Sequence, residues 1–262
     1  MERLRASSRF VNPSRRLWPA RGLVQATWLL ACALSAVPAG ATDLAAATPP
    51  IEIIDHKLTS GPRTLWLPDG HWYLVDLRQD SVSSGASGAT LADTATFVQV
   101  ENGKFVLGGR LFILRADALA FGWNFSPCGS PEDIYLRDRA PNGRQPDCLT
   151  VYSRRGNRVG GGANFQPTQR ALDWLAERHV SPPDYSVVIT YARYATNTFG
   201  TLSLTIPADR FDSDAAAIAW SETLRTSLKR LFEHRDDEGH FPALPPSMTD
   251  VSPATAASRV SH

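Results

Sequence analysis

Two cysteines about twenty residues apart constrain this chain more than any other feature of its sequence. Cys128 and Cys148 bound the inner part of the stretch from Phe121 to Ser153, where FGWNFSPC and CLTVYS stand on either side of a polar segment rich in Pro, Gly and Asp. Runs of aromatic and β-branched residues read as strands, so the stretch predicts a pair of strands, Ala118 to Phe125 and Cys148 to Ser153, stapled at Cys128 and Cys148. A bridge there would close a loop of about 20 residues, worth roughly 3 kcal/mol in chain entropy. The spacing is not that of a CxxC redox or metal pair, and a structural bond fits it better. Such a bond persists only outside the reducing cytoplasm.

The N-terminus supplies that condition. Arg3, Arg5, Arg9, Arg15, Arg16 and Arg21 precede an apolar run from Leu23 to Val37, which ends in Pro38-Ala39-Gly40-Ala41. A basic region, a short apolar core and small residues at a cleavage site are the three parts of a secretory signal peptide. Residues 1–41 are therefore expected to be removed, leaving the protein in the periplasm or secreted. A membrane span would need about 20 apolar residues, and this run is shorter and holds Gln25. Lipidation at Cys32, in Leu29-Leu30-Ala31-Cys32, is an alternative that the bulky Leu30 fits poorly. Ser14-Arg15-Arg16-Leu17-Trp18 approximates a twin-arginine signal, but adjacent arginines are ordinary in a basic leader. Membrane contact is expected only if the leader is retained or Cys32 is lipidated.

Processing changes the charge. The chain has 27 basic and 26 acidic residues, and losing the leader's six arginines and one glutamate leaves 21 and 25. A mildly acidic protein without a polybasic run cannot displace the counterions of a phosphate backbone, so nucleic acid is not an expected partner.

Residues 42–50 read as a flexible start and residues 51–235 as one domain. Short apolar runs containing Ile51, Ile53, Leu58, Leu65 and Leu67 are broken by Gly61-Pro62 and Pro68-Asp69-Gly70, both turn sequences. A strand from His71 to Leu77 would place Trp72, Leu74 and Asp76 on one side by simple alternation. Residues 79–93 are small and polar and read as a loop. Strands Thr94 to Val100 and Phe105 to Leu114 flank Asn102-Gly103, a strong hairpin signal, with a bulge or bend expected at Gly108-Gly109. A helix over residues 167–179 follows a glycine-rich link at 156–162, then a hairpin, Tyr185 to Tyr194 and Phe199 to Ile206. The closing helix runs from Asp214 to about His234, capped by Ser213, with Ala217, Trp220 or Ser221, Leu224, Leu228, Leu231 and Phe232 on one stripe. Residues 236–262 read as a disordered tail. Strand runs with hairpin turns, followed by helices too short to stand alone, predict an α+β fold: a mainly antiparallel sheet with two helices packed on it. The Leu67-Pro68-Asp69-Gly70-His71-Trp72 turn and the closing helix resemble PsbP-like α+β domains.

Chemical motifs are sparse. Gly85-Ala86-Ser87-Gly88-Ala89 lacks the last glycine of a nucleophile elbow and lies between no strand and helix that would form one. The glycines at 156–162 match neither GxGxxG nor a Walker loop. His56, His71, His179, His234 and His240 include no helical metal pair, so no metal or cofactor is expected. His71 beside Asp55, Asp69 or Asp76 is the one candidate acid-base group, since imidazole titrates near neutral pH. Trp66, Trp72, Trp123, Trp174 and Trp220 fall within expected strands or helices and read as packing residues more than a ligand groove. The leading expectation is an exported, non-enzymatic domain that binds an unknown protein or small ligand. The alternatives are a hydrolase-like enzyme using His71, and a lipoprotein anchored through Cys32.

Overall fold

The computed structural model describes residues 40–83, 89–115, 135–138, 147–156, 169–195, 198–233 and 238–247. All belong to one contact unit, Pro38–His262. The strands are β1 (Thr42–Asp43), β2 (Ile51–Glu52), β3 (Lys57–Ser60), β4 (Arg63–Trp66), β5 (Trp72–Ser83), β6 (Ala89–Glu101), β7 (Lys104–Leu114), β8 (Tyr135–Asp138), β9 (Asp147–Arg155), β10 (Tyr185–Ala195), β11 (Thr198–Pro207) and β12 (Glu238–His240). The helices are α1 (Gln169–Glu177) and α2 (Asp214–Glu233).

Eight strands form one antiparallel sheet in the order β2-β5-β6-β7-β11-β10-β9-β8, and four form a smaller one in the order β1-β3-β4-β12. The large sheet joins two meanders, β5 to β7 and β8 to β11, through the β7–β11 pairing. Its inner face is apolar. Leu74, Phe97, Leu111, Leu204, Ile189 and Leu149 are all buried there, together with the α2 side chains Ala217, Leu224, Leu228, Leu231 and Phe232. Each of the larger ones contributes about 1.5–3 kcal/mol on burial. Ser213 Oγ accepts the Ala216 N–H at 3.2 Å and caps α2. The small sheet packs beside α2 on the same core through Leu58 and Leu65.

The second helix lies on the opposite face. Ala171, Trp174 and Leu175 of α1 pack with Val180 on Val75, Val98 and Phe105. The architecture is therefore α+β, a mainly antiparallel arrangement with both helices of the described residues packed on the large sheet. β9 and β10 are sheet neighbours, yet the chain passes between them by way of α1, which sits on β5 at the other end of the sheet.

Several local expectations are corrected. Asn102 (φ 50°) and Gly103 (φ 73°) form the expected hairpin turn, but the register shift of that hairpin falls at Gln99/Val100 and not at Gly108-Gly109. Gly109 is instead covered by the Phe97 ring, which a β-carbon would meet at 2.3 Å. Most of the loop expected at 79–93 is a long hairpin, since Gln79 to Ser83 pair with Asp93 to Ala89; residues 84–88, which hold Ser87, lie outside the described residues. The ends of the domain are also built in. Leu44 is fully buried beyond β1, so residues 42–44 are not a loose start. In the expected tail, β12 pairs with β4, and Phe241 stands 6.5 Å from both Trp72 and Phe97. Disorder thus fails for 238–247 because Phe241 has an aromatic cluster to enter; residues 248–262 lie outside the described residues.

The stapled pair of strands also changes. Both edges of Cys148 to Val151 are occupied, by β8 and β10. Residues 118–125 and Cys128 lie outside the described residues, as do Cys32, Trp123 and His234. Replacing Gly109 with alanine is expected to push into the Phe97 ring and cost about 1–3 kcal/mol. A urea midpoint equal to that of the unchanged protein would contradict this close contact.

Candidate functional site

A single bulge sets the chemistry of the second sheet face. Between Leu74 and Asp76 the β5–β6 register shifts by one residue, with Val75 as the extra one. A bulge reverses the side-chain parity beyond it. Asp76 therefore leaves the side of Trp72 and Leu74, where plain alternation put it, and joins the opposite face. There it heads a row that crosses the sheet one strand at a time: Asp76 beside Thr96, Thr96 beside Arg110, Arg110 beside Ser203, Ser203 beside Thr190, and Thr190 beside Thr150. Directly opposed side chains in such a ladder have Cβ atoms about 4.5–5.5 Å apart.

Apart from the partly buried Arg110, each member of the row is less than a tenth exposed. The neighbouring row contributes Thr94 and Thr201, also buried, on either side of Phe112. Some of these groups satisfy one another. Thr190 and Ser203 share a hydrogen bond of 3.0 Å, and Asp76 lies 3.4 Å from Arg170 of α1 and 3.7 Å from Arg78. Thr96 and Thr201 are different: their hydroxyls are buried and have no hydrogen-bond partner. Burial, and after it the charge of Arg78, holds the Arg110 pKa below the ordinary arginine value. Cys148 stands on this face beside Ala192 and is 1 % exposed.

A second polar cluster lies beneath α2. Arg225 grips Asp147 with two hydrogen bonds of 2.9 and 2.7 Å, and Arg193 lies 3.6 Å from the same carboxylate while donating to Glu233 at 2.6 Å. Tyr135 of the edge strand donates to Glu222 at 2.6 Å. This cluster clamps β8, β9 and β10 to the helix. Burial by itself pushes the Asp147 carboxyl up, but the Arg225 hydrogen bonds and the charges of Arg225, Arg193 and Lys229 outweigh it and hold the pKa below the usual carboxylate range. Burial, then the Asp147 charge, drives the nearby Tyr191 phenol well above its ordinary value.

The residue singled out in the sequence sits elsewhere. His71 lines a shallow depression of about 520 Å³ with Glu52, Asp55 and His56. Its Nδ1 lies 3.3 Å from Glu52, and the side chain is 71 % exposed. Asp69 faces His56 at 3.5 Å instead, and Asp76 belongs to the second face. The fold thus brings His71 near one of the three expected aspartates, Asp55, and adds an acid that the sequence did not mark. Asp55 and His56 both take left-handed backbone conformations, a costly pair for residues with side chains. His179, also left-handed, follows the end of α1, and His240 stacks on Trp66 with ring centroids 5.6 Å apart. Trp72 and Trp174 are buried and Trp66 and Trp220 partly so, as packing residues should be.

Among the described residues, no group of three or more His, Cys, Asp or Glu is placed to hold a metal ion. No helix among them is long and apolar enough to cross a membrane. No family model, curated protein or solved structure matches this chain.

The row of alternating polar residues was legible strand by strand, as threonines and serines in β runs, but its continuity depended on strand order and on the bulge. The Asp147–Arg225 pair joins residues 78 apart and left no local signal. Its pH dependence follows from the direction of the Asp147 shift. Because the folded pKa is depressed, the pair's stabilisation is complete above the unfolded carboxyl value of about 4 and is lost as pH falls through the lower folded value. Asp147→Asn is expected to cost about 3–5 kcal/mol at neutral pH by leaving Arg225 buried without its counter-charge. That gap should narrow in urea titrations below about pH 4; a gap independent of pH would show that the carboxylate's charge is not what holds the helix.

Proposed function

We propose that this chain is an exported, non-enzymatic binding domain that holds a small polar ligand, or a polar group of a partner protein, against the hydroxyl-bearing face of its large sheet. The observation that carries this reading is the pair of buried, unpartnered hydroxyls at Thr96 and Thr201. Each such group costs about 1–3 kcal/mol when left unsatisfied, and a ligand that supplies the missing hydrogen bonds offsets that cost. Folded proteins place nearly all buried polar groups in hydrogen bonds. Among the described residues nine buried side-chain atoms lack a partner, and two of them, the Thr96 and Thr201 hydroxyls, stand in adjacent rows of this one face, which favours a surface built to be occupied.

Export is supported by two independent features. One is the basic, then apolar, then small-residue order of residues 1–41; the other is the spacing of Cys128 and Cys148, which suits a structural disulfide better than a redox or metal pair. On this reading the mature protein begins at Thr42, in the periplasm or the medium, and anchoring through Cys32 is the alternative. The hydrolase alternative has less support, because His71 is largely exposed and hydrogen-bonds to a single acid, Glu52.

Intact-mass analysis of the full gene product recovered from its expression host tests the export reading. The expected mass starts at Thr42 and is two hydrogens short of the reduced chain. A species retaining Met1 with free thiols would refute it, and a lipid adduct at Cys32 would transfer support to the anchored form. Native mass spectrometry of the same material is expected to show a co-purifying small molecule or protein. Replacing Cys148 with serine should lower stability by about 2–5 kcal/mol, to the level that the unchanged protein shows in reductant.

A further inference from the structure

We infer that the outer edge of β5 is a docking surface for a second copy of this chain, paired antiparallel about Gln79 so that Arg78 of each copy faces Asp80 of the other. The inference goes beyond the binding reading above and does not rest on it. β5 is the outer arm of the long β5–β6 hairpin, and β2 covers its free side only at Tyr73 and Leu74. From Asp76 to Ser83 the strand pairs without interruption with β6 on one side, and no other strand among the described residues lies along the opposite side. An uncovered strand edge is a row of backbone donors and acceptors that another strand can complete. Arg78, Gln79, Asp80 and Ser81 are all exposed there.

Sheets discourage such contacts with edge charges that repel their own copies, with bulges or with covering segments. The charges of β5 have the opposite pattern. Beyond the bulge, Asp76, Arg78 and Asp80 alternate with Leu77 and Gln79 and share one face, and directly opposed residues of an antiparallel pair also share a face. With Gln79 opposite itself, Arg78 meets Asp80 of the second copy, Asp80 meets its Arg78, and Asp76 meets Val82. Moving the centre to Arg78 would oppose Arg78 to itself and Asp76 to Asp80; moving it to Asp80 would oppose Asp80 to itself. Both alternatives set like charges face to face, which is unfavourable, so charge selects one register. Asp80 makes no hydrogen bond or ion pair within the chain. Arg78 lies 3.7 Å from Asp76 with its side chain 61 % exposed, and the rest of its guanidinium N–H fork is open to a second carboxylate. Gln79 points to the other face, where its amide donates to the Leu44 carbonyl at 2.8 Å and fixes the strand at the two-fold axis. Because that axis stands perpendicular to the sheet, the dimer carries the hydroxyl rows of both copies on one continuous face.

Sedimentation velocity of the full gene product over a dilution series is expected to show a reversible dimer that weakens as sodium chloride is raised, since surface charge pairs are screened. Arg78→Asp, and separately Asp80→Arg, set like charges opposite each other at both contacts and should weaken the dimer about tenfold or more. Asp80→Arg removes no hydrogen bond within the chain, so its melting temperature should stay that of the unchanged protein. An equimolar mixture of the two variants restores opposite charges at both contacts and should recover a dimer made of one copy of each. A chain that stays monomeric throughout the series overturns the inference, as does a dimer that neither variant weakens, which places the contact elsewhere. Variants that lose the dimer alone and stay apart when mixed overturn it too, because the charges then act within each copy and not between copies. None of these outcomes bears on the binding reading, whose own test is the co-purifying ligand.

Discussion

The pairing of β7 with β11 is the joint on which the molecule depends. Register pairs from Gly200 with Ile113 to Thr205 with Gly108 fuse a three-strand and a four-strand meander into one sheet. Because side chains alternate, a slip of one residue at this joint would send every inner leucine to the polar face and every threonine into the core. Close packing fixes the register. The Phe97 ring lies on Gly109 in β7 and the Phe232 ring on Gly200 in β11, each at a distance that excludes a β-carbon. Two aromatic rings thus read the absence of side chains on either side of the joint, and α2 supplies one of them.

The two faces treat polar groups in different ways. Where the small sheet meets the large one, Ser60 donates to Asp93 at 2.6 Å, Arg115 donates to both Asp93 oxygens, and Arg63 reaches the Leu114 carbonyl at 2.7 Å and Thr198 at 2.9 Å. The Asp93 bond is also the leading reason that the Arg115 pKa is raised. A connected network of this kind makes one arrangement of the sheets more favourable than its rivals. On the second face, hydroxyls at Thr96 and Thr201 are buried beside groups that have found partners. The Tyr191 hydroxyl on the inner face is also buried without a hydrogen-bond partner, but the second face is where two such hydroxyls stand in adjacent rows, and function is sought there for that reason.

Sequence reasoning reached the architecture because its strongest signals are local. Asn102-Gly103 marked its hairpin, Ser213 marked the start of α2, and the stripe from Ala217 to Phe232 identified the face that packs, with Ser221 rather than Trp220 on the buried side. It missed where the information is not local. Nothing in HWYLVDL announces an extra residue at Val75, and without that bulge Asp76 is assigned to the wrong face. The small, polar residues of the β5–β6 hairpin looked like loop, because weak strand propensity there is overridden by the pairing of β5 with β6. Arg225 lies on the buried side of α2, where its helical spacing suggested nothing, because its partner is in β9. The candidate site was legible as a set of ingredients, β-strand threonines and one arginine, and not as a row.

The two outer strands of the small sheet come from opposite ends of the described chain, β1 at Thr42–Asp43 and β12 at Glu238–His240. Gly239 fits against Leu228 and Leu231 of α2 only because it lacks a side chain, and Phe241 follows it into the cluster with Trp72 and Phe97. This arrangement fixes an order in time. During vectorial synthesis or threading through a pore, Trp72 and Phe97 emerge long before the residue that caps them. Until then two large aromatic surfaces face water on a nearly finished sheet, and this is the interval in which a holding chaperone would find something to grasp.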